Sequence, residues 1–229
     1  MSEPKRLAFI HTSHVLIPLF TELAKKHLPG VETFHMTDES LIQNTIRAGK
    51  LTDSTARRVA GMIGLAHDGG ADVVMVTCSS IGKATSMARE QFDFPVLRID
   101  ESLAEEAVQA GSRIGVAATL STTLDPTVEL LQETADRTGR TVTLIPRLAA
   151  GAFEAVVAGD TARHDELLLA VLHELRREVD VIVLAQASMA RVAALLPAGE
   201  GPLILSSPEL AVRRAAAVID QMKKAGSPA

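Results

Sequence analysis

Short apolar runs, rich in β-branched residues, alternate along the chain with longer amphipathic segments. The short runs predict strands buried on both faces, at residues 6–11, 31–36, 72–77, 95–99, 113–118, 141–145, 180–185 and 202–206. The longer segments have helical spacing of their apolar positions and predict helices at residues 14–28, 53–68, 81–91, 101–110, 122–138, 161–178, 188–196 and 208–224. This alternation predicts an α/β fold with mostly parallel sheets and right-handed crossovers.

Three blocks of sequence recur at a nearly constant distance. The stretch "KRLAFIHTSH" matches "SRIGVAATLS" at an offset of 107, and "ADVVMVTCSS" matches "VDVIVLAQAS" at an offset of 108, which pairs Cys78 with Gln186. "PVLRIDESLAEEA" resembles "PLILSSPELAVRRA", again at 107. A fixed period predicts two pseudo-symmetric α/β/α halves, although generic strand and helix patterns also align by chance. We expect a first half of residues 1–97 plus 207–229 and a second of 98–206, because the last helix should pack back on the first half.

Composition excludes several classes of protein. The chain has 229 residues, a net charge of −5, no Trp and no Tyr, so neither a basic patch nor an aromatic platform for nucleic acid is present. One cysteine makes no internal disulfide or CxxC metal site. No apolar stretch has the length of a membrane span, and His11 and His14 interrupt the N-terminal apolar segment of a would-be signal peptide. We therefore expect a soluble cytoplasmic protein.

Small polar residues follow several of the predicted strands. In open parallel sheets ligands bind at the carboxyl ends of the strands, so we expect a site in a cleft between the two halves. Hydroxyls at helix starts suit a small anion such as a carboxylate, although Ser and Thr there also act simply as helix caps. The candidates are His11, Thr12, Ser13, Thr77, Cys78, Ser79 and Ser80 in the first half, and Thr119, Ser121, Thr122, Gln186, Ala187 and Ser188 in the second.

Cys78 is the reactive candidate. A lone cysteine is often a small buried hydrophobe. Cys78, however, lies between a strand and a helix start, where the helix dipole and N–H groups are expected to lower the pKa of a thiol. Such a thiol acts as an acid, a base or a nucleophile.

Several other chemistries lack their motifs. The sequence has no P-loop, no GxGxxG after the first strand, no GxSxG and no HExxH. Nothing therefore requires a metal or an organic cofactor. His11 is the histidine expected in the cleft, whereas His164 and His173 are expected on the surface of a long helix.

The motifs "TCSSIG" and "VLAQASMA", placed after equivalent strands of two similar halves, resemble the aspartate/glutamate/hydantoin racemase superfamily. In the resemblance, Cys78, Ser79 and Ser80 occupy the first-half Cys-Asn-Thr motif, and Gln186 occupies the second thiol position. Thr119 and Thr122 fall where the family binds a substrate carboxylate, and "LSSPELAV" resembles the segment before the last helix. His11 stands where glutamate racemases have an aspartate.

The resemblance implies a cofactor-independent isomerase acting on the carbon next to the carboxylate of a small acid, through an enediolate. Two thiols serve that chemistry in the family, and the amide of Gln186 does not exchange a proton at neutral pH. We therefore expect Cys78 to be one acid–base group, with His11 or water as the other. The open alternatives are a one-thiol decarboxylase similar to arylmalonate decarboxylases, thiol addition as in maleate isomerases, a cysteine hydrolase, and a non-catalytic carboxylate-binding protein. Relatives imply a homo-oligomer, and the substrate remains open.

Overall fold

The computed structural model describes residues 4–196 and 201–225 of the chain. Contacts divide the chain into two compact units, which we call unit 1 (Met1–Ile99 with Pro208–Ala229) and unit 2 (Asp100–Ser207). Each unit contains one four-stranded parallel sheet with helices around it, which confirms the predicted α/β class. Residues 1–3 and 226–229, at the ends of the expected first half, lie outside the described residues.

The strands alternate with helices along the chain. The strands are β1 (Arg6–His11), β2 (Glu32–Thr37), β3 (Val73–Val76), β4 (Val96–Arg98), β5 (Arg113–Ala118), β6 (Thr143–Leu148), β7 (Val181–Leu184) and β8 (Leu203–Ser206). The helices are α1 (Ile17–His27), α2 (Glu39–Ala48), α3 (Asp53–Asp68), α4 (Gly82–Arg89), α5 (Glu101–Ala110), α6 (Ser121–Arg137), α7 (Ala152–Val157), α8 (Thr161–Leu175), α9 (Ala190–Ala193) and α10 (Ser207–Ala225). Short 3-10 turns, at His14–Leu16, Ser79–Ile81 and Ala187–Met189, precede α1, α4 and α9.

The two sheets have the same strand order and the same register. Unit 1 has the order β2-β1-β3-β4, and unit 2 has the order β6-β5-β7-β8. In unit 1 Leu7 is paired with Val73, and in unit 2 Ile114 is paired with Val181. These pairs are related by the offsets of 107 and 108 found in the sequence, so the internal repeat is also a repeat of strand pairing.

Side-chain alternation gives the sheet of unit 1 two covered faces. Ala8, Ile10, Val74 and Val76 belong to a buried cluster with side chains of α2, α3 and α4. Leu7, Phe9 and His11 alternate with these positions on β1, and the ring of Phe20 on α1 packs 5.2 Å from that of Phe9. The period of two therefore directs His11 toward the face covered by α1.

In unit 2 the corresponding core packs one face of the sheet against α8 and α9. Ala117, Ile182 and Leu184 contact apolar side chains of those helices, among them Leu172 and Val192. Gly115, on β5 with Ala117, leaves room for α8, because a Cβ added at Gly115 would lie 2.9 Å from a methyl group of Leu175. The sheet and α8 therefore approach closely in unit 2.

An aspartate clamps the first strand in each unit. Asp72 Oδ2 accepts a hydrogen bond from the main-chain N–H of Arg6 at 2.8 Å, and Asp180 Oδ2 accepts one from that of Arg113 at 2.9 Å. Each arginine side chain also donates to a carbonyl just before the aspartate, that of Gly69 at 2.8 Å and that of Glu178 at 2.7 Å. The repeated Arg and Asp of the sequence thus form one structural device used twice.

The structure adds two helices, α2 and α7, that the apolar pattern did not predict. The local signals for α2 are present, since the Asp38 side chain caps the N–H of Ser40 and Gly49 ends the helix with φ 66°. β6 runs to Leu148, beyond the predicted end, because this strand lies at the edge of its sheet, where Pro146 removes no ladder hydrogen bond.

Candidate functional site

The structure places the polar residues singled out from the sequence at the carboxyl ends of strands in their own unit. Thr12 and Ser13 follow β1, and Cys78, Ser79 and Ser80 follow β3. In unit 2 the residues after β5 and β7 are Thr119, Ser121, Thr122, Gln186, Ala187 and Ser188. Most are buried; Ser13, Cys78 and Gln186 are partly exposed, and Ser121 and Ser188 are exposed. Partial exposure leaves Cys78 and Gln186 open to a ligand.

Cys78 lies at the start of the Ser79–Ile81 turn, with φ −134° and ψ 117°. The hydroxyl of Thr12, the main-chain N–H groups of Ser80 and Ile81 and the hydroxyl of Ser80 are placed to act as donors to the sulfur, each lowering the pKa of the thiol. The Ile81 N–H also donates to the Cys78 carbonyl at 3.3 Å. The thiol is therefore oriented by donors from two neighbouring strand ends. Donors in this arrangement stabilise a thiolate when one forms.

Burial nevertheless raises the pKa of the Cys78 thiol above its ordinary value, and the four hydrogen bonds only partly oppose this effect. The expected lowering of the pKa is therefore wrong in direction. Cys78 is partly exposed at the surface but surrounded by enough protein to lose much of its hydration. The resting form of Cys78 at neutral pH is the protonated thiol.

Gln186 has the same local setting in unit 2, at the start of the Ala187–Met189 turn. Its Oε1 accepts hydrogen bonds from the main-chain N–H of Thr119 at 2.6 Å and from the Thr119 hydroxyl at 2.9 Å. A main-chain N–H only donates, so the amide atom beside it must be the oxygen. The Gln186 amide NH2 has no protein partner in the described part of the chain and remains available to a ligand.

Thr122 carries an unused hydroxyl at the start of α6. Its Oγ1 is buried and has no hydrogen-bond partner among the described residues. Leu120 precedes the helix and offers no side-chain cap, so the N–H groups of Ser121 and Thr122 keep their donor capacity, whereas the Thr123 N–H donates to the Leu120 carbonyl at 3.1 Å. The donors of Thr119, by contrast, are engaged by Gln186. This helix start is thus suited to an anion through Thr122 and the main chain.

His11, the histidine expected in the cleft at the end of β1, is fully buried. Its Nδ1 lies 2.8 Å from Thr77 Oγ1, and its Nε2 lies 2.8 Å from Nδ1 of His35. Burial, with a smaller contribution from His35, lowers the pKa of His11 to about 4. His11 is therefore a neutral internal group and does not contact solvent.

Sequence reasoning missed a histidine–carboxylate pair at the edge that carries Cys78. His14 Nδ1 lies 2.5 Å from Oε1 of Glu39, and the main-chain N–H of His14 donates to the same oxygen at 3.3 Å. The side chain of His14 is 72% exposed. Its position three residues past the last residue of β1 was the available signal.

His164, expected on the surface, is buried in unit 2. Its Nδ1 lies 2.9 Å from Asp165 Oδ1, and Asp165 accepts two hydrogen bonds from Arg191, at 2.6 and 2.7 Å. This bidentate pair joins α8 to α9, which follows the Gln186 turn. It holds the segment after Gln186 in place.

The described residues contain neither a metal-binding cluster nor a helix that could span a membrane. No group of three or more His, Cys, Asp or Glu side chains in 4–196 and 201–225 is arranged to hold a metal ion. Among the same residues, no helix combines the length and apolar character of a transbilayer segment.

Comparison with known proteins places this geometry in context. The model of a protein family described as Asp/Glu/Hydantoin racemase matches residues 10–215. A glutamate racemase from Bacillus anthracis is 16% identical with a TM-score of 0.76, covering 96% of this chain and 84% of that one. An aspartate racemase from Picrophilus torridus is 16% identical with a TM-score of 0.69, and the match covers 96% of this chain and 94% of that one.

An allantoin racemase from Klebsiella pneumoniae is 18% identical with a TM-score of 0.67, and the match covers 95% of this chain and 89% of that one. No curated protein sequence matches the chain. At these identities the structural likeness shows a shared fold.

Proposed function

The chain belongs to the Asp/Glu/hydantoin racemase family, and from that premise we propose that it is a cofactor-independent isomerase of a small carboxylic acid. It acts on the carbon next to the carboxylate, through an enediolate. The observation that carries this proposal is the setting of Cys78, a partly exposed thiol held by four hydrogen-bond donors at the end of β3. A structural cysteine in an apolar core does not need such donors.

In this proposal Cys78 transfers the proton at the reacting carbon. The thiol form donates a proton to the enediolate, and the thiolate, stabilised by Thr12 and the Ser80 and Ile81 N–H groups, removes one in the opposite direction. Because burial favours the thiol, the S–H proton of Cys78 must pass to another acid–base group whenever the thiolate is required in turnover.

Gln186 holds the substrate in place of a second thiol. Its amide NH2 is presented by the two hydrogen bonds that fix the amide oxygen to Thr119. An amide has no accessible titration, so we assign Gln186 the stabilisation of the carboxylate or the enediolate and no proton transfer. We propose the same role for the hydroxyl of Thr122, which is buried and unpartnered among the described residues.

The remaining polar residues would complete the binding of the carboxylate. Ser79 and Ser80 follow the thiol and Ala187 and Ser188 follow Gln186, each at the start of a 3-10 turn. Ser13 begins the turn after β1 and its side chain makes no capping hydrogen bond there. We propose that the main-chain N–H groups of Ser13, Ser79, Ala187 and Ser188 and the hydroxyls of the three serines among them bind the substrate. Ser80, whose N–H and hydroxyl face the sulfur, would act through Cys78.

Decarboxylation is a second candidate reaction, favoured by one specific observation. The burial that keeps Cys78 protonated suits a reaction in which loss of CO2 creates the enediolate and one acid quenches it. A hydrolase is less well supported, because the hydrogen-bond partners of the thiol, Thr12, Ser80 and Ile81, include no histidine.

Solvent exchange at the α-carbon tests the proposal. Wild type and Cys78→Ala are incubated in D2O with both enantiomers of aspartate and glutamate and with phenylmalonate, and deuterium at the α-carbon is measured by NMR. We expect exchange, inversion or CO2 release by the wild type and loss of at least about 100-fold in Cys78→Ala. The control variant is His173→Ala, because His173 is exposed on α8 and has no proposed role. Ser188 is also exposed but is a proposed ligand, so Ser188→Ala is not a suitable control. Exchange of equal rate in Cys78→Ala and wild type overturns the proposal.

A further inference from the structure

We propose that His14, oriented by Glu39, is the second acid–base group of the reaction and the counterpart of Cys78. This inference rests on the proposed function, which requires a titratable group in addition to one thiol. Gln186 does not supply it. His11 does not supply it either, because His11 is fully buried.

The placement of His14 within unit 1 supports this role. β1 and β3 are hydrogen-bonded neighbours in a parallel sheet, so the segment after β1 and the turn after β3 emerge at the same edge. Thr12, two residues before His14, already reaches the sulfur of Cys78. α2, which begins at Glu39, packs against the Ser79–Ile81 turn. His14, Glu39 and Cys78 therefore belong to one edge of one sheet.

His14 is also available for chemistry. Its side chain is 72% exposed, and its Nε2 has no partner within residues 4–196 and 201–225. The other histidines of unit 1 are engaged: His11 and His35 with each other, His27 with Glu209, and His67 with the carbonyl of Ala71 and the ring of Phe94. His14 combines an open ring nitrogen with a position at the carboxyl edge of the sheet, whereas His27 and His67 lie at the ends of α1 and α3 that lead into β2 and β3.

Glu39 fixes the orientation of the imidazole. One oxygen, Oε1, faces both the main-chain N–H and Nδ1 of His14, at 3.3 and 2.5 Å. Glu39 is itself held, because Asp38 caps α2 and the Asp38 N–H donates to the carbonyl of His11 at 3.0 Å. With Nδ1–H bonded to a carboxylate, Nε2 is the nitrogen that gives or takes a proton. Glu39 is a positioning residue in this scheme.

The proton balance closes over one turnover. From one enantiomer, the Cys78 thiolate takes the α-proton, so the C–H bond breaks, an S–H bond forms and the electron pair remains on the enediolate. The His14 imidazolium then gives its Nε2 proton to the opposite side of the carbon, which leaves neutral imidazole. Thiol and imidazole are the starting state for the other enantiomer, from which His14 takes the proton and Cys78 returns one.

Measuring inversion and deuterium exchange side by side distinguishes the role of His14 from that of Cys78. We compare His14→Ala, Cys78→Ala and the exposed-histidine control His173→Ala with the D- and L-forms of aspartate and glutamate in D2O. We expect His14→Ala to lose inversion by at least about 100-fold, to keep deuterium exchange into one enantiomer through Cys78, and to regain inversion on addition of imidazole. His173→Ala should match the wild type.

The outcomes distinguish this inference from the proposed function. If Cys78→Ala abolishes exchange while His14→Ala inverts at the wild-type rate, the function stands and the role of His14 is overturned. If Cys78→Ala exchanges normally, the proposed function itself fails. Glu39→Gln, which keeps an oxygen acceptor for Nδ1 of His14, should retain most of the inversion that Glu39→Ala loses, because the acceptor orients the imidazole.

Carboxymethylation by iodoacetate gives a test that needs no substrate. If the two side chains share one site, as proposed, iodoacetate alkylates one of them and the attached carboxymethyl group blocks the other. Peptide mass spectrometry measures the labelling of His14 in two populations: Cys78→Ser protein, and wild-type molecules that already carry a label on Cys78. We expect His14 to be labelled at least about tenfold more in Cys78→Ser, where no group on residue 78 blocks it. Labelling of His14 at the rate of His173, regardless of Cys78, overturns the inference.

Discussion

Nε2 of His11 and Nδ1 of His35 lie 2.8 Å apart, and the two imidazoles form the centre of a hydrogen-bonded chain across unit 1. The chain continues through Thr77 to the carbonyl of Ile10 and through Thr21 to the carbonyl of Ile17. Its five contacts each require one proton, whereas two hydroxyls and two neutral imidazoles supply four. Hydrogen bonding therefore favours one added proton, and burial, the larger effect on the pKa of both groups, opposes it.

We expect this histidine pair to make the stability of the fold depend on pH. The pKa of His11 is lowered from 6.5 to about 4 in the folded protein. Below pH 6.5, therefore, His11 of the unfolded chain binds a proton that His11 of the folded protein does not bind. Stability is full above pH 6.5 and falls as the pH drops toward 4, by up to about 3 kcal/mol. Urea unfolding from pH 7.5 to 4.5 measures it. His11→Asn should flatten this slope and His173→Asn should not; equal slopes for wild type and His11→Asn contradict the assignment.

The raised pKa of Cys78 predicts slow alkylation at neutral pH. The thiolate is the reactive form, and burial disfavours it. We expect the rate of reaction with iodoacetamide to rise with pH to a midpoint above that of free cysteine. Thr12→Val, which removes one donor to the sulfur, should move the midpoint higher still. Rapid alkylation at pH 7 with a midpoint below that of free cysteine would contradict the burial effect.

Gln186→Glu isolates the amide NH2. A carboxylate at this position still accepts both hydrogen bonds from Thr119, so the melting temperature should change little. The variant replaces a donor by a negatively charged acceptor, so we expect the affinity for a carboxylate such as malonate to fall at least about tenfold. Calorimetric titration measures the affinity. Undiminished binding would show that the NH2 group of Gln186 does not contact the carboxylate.

Gly82→Ala should destabilise unit 1, because Gly82 starts α4 directly beneath a buried guanidinium. An added Cβ would lie 2.5 Å from Nη2 of Arg98, whose side chain is buried. We expect a loss of about 1–3 kcal/mol in urea unfolding. Gly61, inside α3, is the matched control, since an added Cβ there meets nothing within 4 Å. Gly61→Ala should stabilise by about 0.5–1 kcal/mol, and equal effects at both sites would contradict the packing argument.

The sequence was most informative where one physical signal dominated. All eight strands found in residues 4–196 and 201–225 were predicted, because buried parallel strands are continuous apolar runs. The inward direction of His11 follows from alternation with Leu7 and Phe9 and was available from the same pattern. The pairing of Gln186 with Thr119 was not, since it depends on β5 and β7 being neighbours and on a side-chain rotamer.

The sign of the pKa shift at Cys78 was unpredictable for a related reason. The helix start that lowers a thiol pKa is visible in sequence, but the burial that raises it is set by side chains packed from distant segments. The His14–Glu39 pair also joins residues from two separate segments, so the two side chains meet only in the fold.

The discontinuity of unit 1 has a consequence for biosynthesis. Unit 2 is one uninterrupted segment, whereas unit 1 includes α10 from Pro208 onward, where Glu209 contacts Lys26 and His27 at 2.8 Å and Val212 and Ile219 are buried. Domains fold as units as the ribosome delivers them. The first 99 residues emerge early but lack their closing helix, so the half that carries Cys78 is completed only after all of unit 2 has been translated.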